Sequence, residues 1–130
     1  MNLNYIHINN NILIEFQETL DLNSLLESNK QLISNPELEY LDYQVLNLLK
    51  VKHFDITSYD IKVYLVLYKS TKNWNKNMKT AIVTSNNDLI IQFRNQMSKL
   101  NLKPDGFKFF KTIDEALNWC KTIKIQNQKY

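Results

Sequence analysis

Between Lys79 and Cys120 the chain alternates two apolar strand candidates with two helix candidates, and this order constrains the fold more than any other feature. Ala81-Ile82-Val83 is a short apolar run, and Leu89, Phe93, Met97 and Leu100 follow at helical spacing. Phe107 to Phe110 is a second strand, followed by a helix opened by Thr112-Ile113-Asp114-Glu115. A helical connection can carry the chain back across a sheet, so some parallel pairing follows. No catalytic group stands at the strand ends, where an α/β enzyme needs one. The segment predicts a fold without predicting an activity.

The remainder fits the same architecture. Tyr5 to Ile8 and Ile12 to Phe16 are strands around Asn9-Asn10-Asn11, a connection suited to an antiparallel hairpin. Ile12, Ile14 and Phe16 share one face of the second strand, and Leu13 and Glu15 share the other. From Leu22 a helical stripe runs through Leu25, Leu26, Leu32 and Ile33, interrupted by Asn29, with Pro36 beyond its end. Tyr40 to Val51 reads as one long central strand, apolar on both faces. Thr57 caps the next helix, with Asp60 in place of the capping-box Glu, and Ile61, Tyr64, Leu65 and Tyr68 continue it until it fades near Asn73. Thr112 and Glu115 are spaced as a capping box over a stripe of Ile113, Ala116, Leu117, Cys120 and Ile123. The expectation is one α/β domain spanning residues 1–130 in the order ββαβαβαβα, a mixed sheet of about five strands with about four packed helices and a frayed tail over 126–130.

Composition supports a chain that folds alone. It is 44% apolar with six Phe, seven Tyr and two Trp, enough for a layered core, and only one Gly and two Pro interrupt regular structure. Eighteen Asn residues flank many of the apolar runs and read as turn and cap residues. The single Cys120 excludes an intramolecular disulfide framework, and no set of thiolates suggests a structural metal. No signal-peptide pattern opens the chain and no apolar run approaches the ~20 residues of a spanning helix, so a cytoplasmic location is expected. A net charge of +3 permits an acidic partner without requiring one. The residues call for no cofactor.

Lys79-Thr80-Ala81-Ile82-Val83 and the ending Phe109-Phe110-Lys111-Thr112-Ile113-Asp114-Glu115-Ala116-Leu117-Asn118-Trp119-Cys120 resemble the “K-x-AIV” strand and “vFrdxeeAlxWL” ending of the SpoIIAA-like family, relatives of the STAS domain also labelled Sec14-like. Gln44-Val45-Leu46-Asn47-Leu48 is similar to that family's central strand, with Asn47 where Asp is common. The resemblance implies helices packed on a mixed sheet and a non-catalytic role. It also places Ser58 near the strand exit where the sporulation-regulator branch carries a phosphorylatable serine, although Thr57-Ser58-Tyr59-Asp60 lacks the Gly of that Asp-Ser-x-Gly context.

Several residue groups invite a chemical reading. His53, Ser58 and Asp60 do not form a nucleophile motif, because Thr57-Ser58 is already explained as a cap and no Gly-rich elbow surrounds the serine. His53 and Asp55 read as solvated loop residues, and His7 belongs to the first strand. Asp114 and Glu115 suit the positive end of the last helix better than acid/base work. Lys69, Lys72, Lys76 and Lys79 with Trp74 form the most basic stretch, which could meet phosphate or an anionic membrane surface; the absence of Arg and of a recognised motif makes nucleic acid an unfavoured partner. Cys120 lies on a buried stripe and reads as a core residue. The leading expectation is a non-enzymatic domain that binds a protein partner or a second copy of itself through an exposed patch joining Trp74, Trp119 or the tyrosines around the sheet edge. The alternative is a small apolar-ligand or lipid module with a cavity lined by Phe16, Tyr43, Tyr64, Phe93 or Phe107.

Overall fold

A computed structural model describes residues 3–127. Among them the order is β1 (Leu3–Ile8), β2 (Asn11–Phe16), β3 (Glu18–Asp21), α1 (Leu22–Ile33), β4 (Tyr43–Asn47), β5 (Val51–Asp55), α2 (Ser58–Thr71), β6 (Lys79–Val83), α3 (Asn87–Lys99), β7 (Phe107–Phe110) and α4 (Ile113–Asn127), with 3-10 turns at Leu38–Tyr40 and Pro104–Gly106. Five strands form a mixed sheet in the order β1-β2-β4-β6-β7. The β1–β2 pair is antiparallel and the others are parallel. Helix α4 runs on to Asn127, into the tail expected to fray. The rest of that tail and the side chains from residue 122 onward, Ile123 included, lie outside the described residues.

The sheet separates two apolar layers. Ile12, Ile14 and Phe16 of β2, Leu46 of β4 and Ile82 of β6 meet the buried faces of α1, α2 and α3, through Leu25, Leu32, Ile61, Tyr64, Leu65, Leu89 and Phe93. On the other face Leu13, Tyr43, Val45, Ala81 and Val83 meet Ala116 and Cys120 of α4. The period of two in each strand therefore feeds both layers at once. Inside the first layer a buried polar trio joins three elements: Gln44 Nε2 donates to Thr80 Oγ1 at 3.1 Å, and Thr80 shares a 2.8 Å hydrogen bond with the Tyr68 hydroxyl.

The long central strand expected over Tyr40 to Val51 is two strands. Asn47 Oδ1 accepts from Leu49 N at 3.0 Å, turning the chain as soon as β4 ends. Strand β5 then leaves the main sheet and pairs in parallel with β3, making a separate two-stranded sheet. Leu49, expected on a strand face, is 45% exposed in that turn. Reading the apolar run without the turn chemistry of Asn47 hid both short strands.

Asparagine does much of the work glycine does elsewhere. Asn9 and Asn10 have φ of 47° and 71° and form the two-residue turn between β1 and β2, a conformation that short polar side chains tolerate. Asn101, φ 56°, closes α3: Leu102 N donates to Met97 O and Asn101 N to Ser98 O, the paired bonds of a Schellman end. Other asparagines pin distant segments. Asn11 Oδ1 accepts from Asp42 N and Tyr43 N, while Asn75 Nδ2 donates to Leu38 O at 2.8 Å and Leu41 O at 2.7 Å. Asn29, which interrupts the α1 stripe in the sequence, is buried and accepts from Thr71 Oγ1 of α2, and Ile33 of that stripe is exposed instead. Asn75→Ala leaves two carbonyls without that donor, and urea unfolding should show a loss of about 1–3 kcal/mol for each one that water cannot reach.

Candidate functional site

The parallel strands end where the helices begin, so one edge of the sheet gathers the N-termini of α1, α2, α3 and α4. Each is capped from its own sequence. Thr57 Oγ1 accepts from Asp60 N at 3.1 Å and Asp60 Oδ2 accepts from Thr57 N at 3.0 Å. Asn86 Oδ1 accepts from Leu89 N. Thr112 Oγ1 accepts from Glu115 N and donates to Glu115 Oε1, so the last box closes through the hydroxyl instead of the backbone N–H. The carboxylate of Asp60 is committed to the cap, which removes it from any arrangement with Ser58 and His53.

Ser58 is the first residue of α2 and is exposed; its hydroxyl donates to Gln92 Oε1 of α3 at 3.5 Å. Beside it runs a feature the sequence reading missed. Tyr59, Val66 and Leu67 are 68%, 48% and 42% exposed, and Val63 between them is half-buried. These positions follow i, i+4, i+7 and i+8, a single outward stripe on the helix that packs against both α1 and α3. Helix α2 therefore carries an outward apolar stripe opposite its buried face, flanked by exposed Lys62 and Lys69. The inward residues Ile61, Tyr64, Leu65 and Tyr68 and the outward ones interleave between Tyr59 and Tyr68, so the stripe at helical spacing marks only the buried half.

The basic stretch divides. Lys69 Nζ donates to Leu100 O at 3.0 Å, tying α2 to the end of α3. Lys72, Lys76 and Lys79 instead converge on a recess of about 270 Å³ that also takes in Lys103, from outside the stretch. Trp74 is 66% exposed and borders a different recess with Ile33, Pro36 and Leu38. Trp119 is half-buried on α4, its ring 5.6 Å from that of Phe110 and beneath Lys108 Nζ at 5.6 Å. The two tryptophans do not share a patch.

The aromatic side chains named for an apolar cavity do not line one space. Phe16, Tyr64, Phe93 and Phe107 belong to the layer under α1–α3 and Tyr43 to the layer under α4, with Tyr64 edge-on to Phe93 at 6.3 Å and Phe93 stacked on Phe107 at 6.2 Å. They fill the core. His7 lies on β1 and His53 on β5, in different sheets, and among the described residues no three His, Cys, Asp or Glu side chains gather as a metal site. Also among the described residues, no helix is long and apolar enough to cross a membrane.

No family model and no curated protein matches the chain. Solved structures do. The anti-sigma factor antagonist SpoIIAA in its unphosphorylated form aligns with a TM-score of 0.60 at 9% identity, over 92% of this chain and 97% of that one. A putative anti-sigma factor antagonist of Thermotoga maritima aligns at 0.61 and 18% identity, over 92% and 94%. An uncharacterized Shewanella loihica protein with a SpoIIAA-like fold aligns at 0.55 and 16% identity, over 91% of each. The chain has the SpoIIAA-like fold. At such identities the shared property is the arrangement of the backbone.

Two outcomes follow from the packing around α4. Trp119→Ala should cost less than the ~3–5 kcal/mol of a fully buried ring, because its indole lies at the rim; chemical unfolding measures the difference. Burial pushes the Cys120 thiol up to about 12 despite the nearby Lys121 and Lys79. Native protein at about pH 8 should therefore resist alkylation by iodoacetamide and react only once unfolded, as followed by intact mass.

Proposed function

We propose that this protein is a non-enzymatic regulatory domain that docks a partner protein on the outward face of α2, with Ser58 at the edge of the contact. The observation that carries this reading is the exposed stripe of Tyr59, Val66 and Leu67 running away from an exposed serine at the helix start. A solvent-facing apolar stripe on a helix already packed on its other side gains free energy when a partner removes it from water.

The solved structures of this fold support the same direction. Three are described as anti-sigma factor antagonists, one of them as putative, and SpoIIAA has been solved in both unphosphorylated and phosphorylated forms. An anti-sigma factor is accordingly the partner class proposed here. Phosphate on Ser58 would sit at the positive end of a fourteen-residue helix, where exposed backbone N–H groups favour it, and would place about two negative charges beside the apolar stripe. Modification would thus be tolerated by the fold while opposing an apolar contact.

Affinity capture from the source cell with wild-type protein, Val66→Lys, Ser58→Asp and Trp74→Ala tests the assignment, with circular dichroism confirming that each variant folds. The expected result is one stoichiometric partner retained by wild type and Trp74→Ala, lost with Val66→Lys and reduced about tenfold or more with Ser58→Asp. Loss confined to Trp74→Ala would move the interface to the α1 end. A dimer in analytical ultracentrifugation that Val66→Lys converts to monomer would assign the stripe to self-association instead.

A further inference from the structure

At the edge of the sheet opposite the helix N-termini, the beginnings of β6 and β7 border the recess walled by Lys72, Lys76, Lys79 and Lys103. Its apolar lining includes Met97, Leu102 and Phe107, and Asp105 is the carboxylate among its lining residues. Part of this charge is explained internally. Lys72 Nζ donates to Lys76 O at 2.9 Å and to Met78 O at 2.6 Å, which orders the loop leading into β6.

The remaining ammonium groups have no such explanation. Among the described residues, Lys76, Lys79 and Lys103 make no ion pair; the close pairs are Lys50 with Glu15 and Lys52 with Glu18, elsewhere on the molecule. Lys72 is half-buried, and its basicity is lowered first by burial and then by repulsion from Lys79. Like charges held around a partly desolvated hollow repel one another, and an anion in the hollow converts that repulsion into attraction. Lysines are compact point charges without the planar fork of arginine, which suits tetrahedral phosphate approached from several sides. The size of the hollow, about 270 Å³, falls below the ~300–1,000 Å³ of clefts that hold drug-sized ligands, so the occupant is compact.

We infer that this lysine-walled recess binds a small soluble anion bearing one or two phosphate groups, at a site separate from the α2 stripe. Isothermal titration of the full chain with pyrophosphate tests it, alongside Lys76→Ala/Lys103→Ala and the charge-matched control Lys30→Ala/Lys62→Ala. Both pairs change exposed side chains, so each variant should fold. The expected result is saturable one-to-one binding that weakens about tenfold or more in the recess variant and stays within about twofold of wild type in the control. Equal weakening in both variants would reduce the effect to net charge and overturn the site. Absence of saturable binding would overturn it as well, as would binding to phosphatidic acid vesicles without binding to pyrophosphate, which would make the surface a lipid-headgroup contact.

Discussion

The structure depends on two adjacent strands being buried on both faces. Every residue of β4 is buried, as are Thr80 to Val83 of β6, and they pair in register from Tyr43 with Lys79 to Asn47 with Val83. Strands without a wet face cannot stand at the surface of a sheet, so both sides must be roofed by helices. The strand-helix-strand connections supply one roof through α1, α2 and α3, and α4, which follows the last strand, supplies the other. The polar trio of Gln44, Thr80 and Tyr68 survives within the apolar layer because its hydrogen bonds are made inside it.

That roofing is unequal, and the inequality bears on function. Three helices cover one face and α4 covers the other, so α2 is flanked by α1 and α3 and has only its outer side free. Parallel pairing also sends the exits of β2, β4, β6 and β7 to one edge. The N-terminus of α2, with Ser58, consequently opens at that edge with the apolar stripe trailing from it, whereas the lysine-walled recess lies at the strand entrances. The two proposed surfaces are separated by the fold itself, which allows them to act independently.

A chain with one glycine still needs turns of positive φ and tight helix ends. Among the described residues asparagine fills three of the four positive-φ positions, Asn9, Asn10 and Asn101, with Glu18 at the other, since a short amide tolerates the left-handed region better than a bulky side chain does. The same amide serves as a long-range pin at Asn11 and Asn75, where one side chain satisfies two backbone groups of another segment. Turn formation was readable because it is local. The pins were not, because which carbonyls lie beside Asn75 depends on how the loop before β6 meets the turn after α1.

The caps at Thr57 and Thr112, the alternation in β2 and the strand-helix order after Lys79 were determined by the sequence alone, because each arises from interactions among residues a few positions apart. The split between β4 and β5 was encoded in Asn47 but became visible only when β3 provided a partner for the departing strand. Tertiary structure also decided how the notable side chains were distributed: Trp119 went to the rim of α4, Trp74 to the end of α1, and Lys69 away from the other lysines to a carbonyl of α3. Lys103 joined Lys72, Lys76 and Lys79 because β7 lies beside β6, a neighbour relation absent from their spacing along the chain. Hydrophobic period specifies which face of an element leaves water, but the positions of the other elements determine which remaining face stays uncovered.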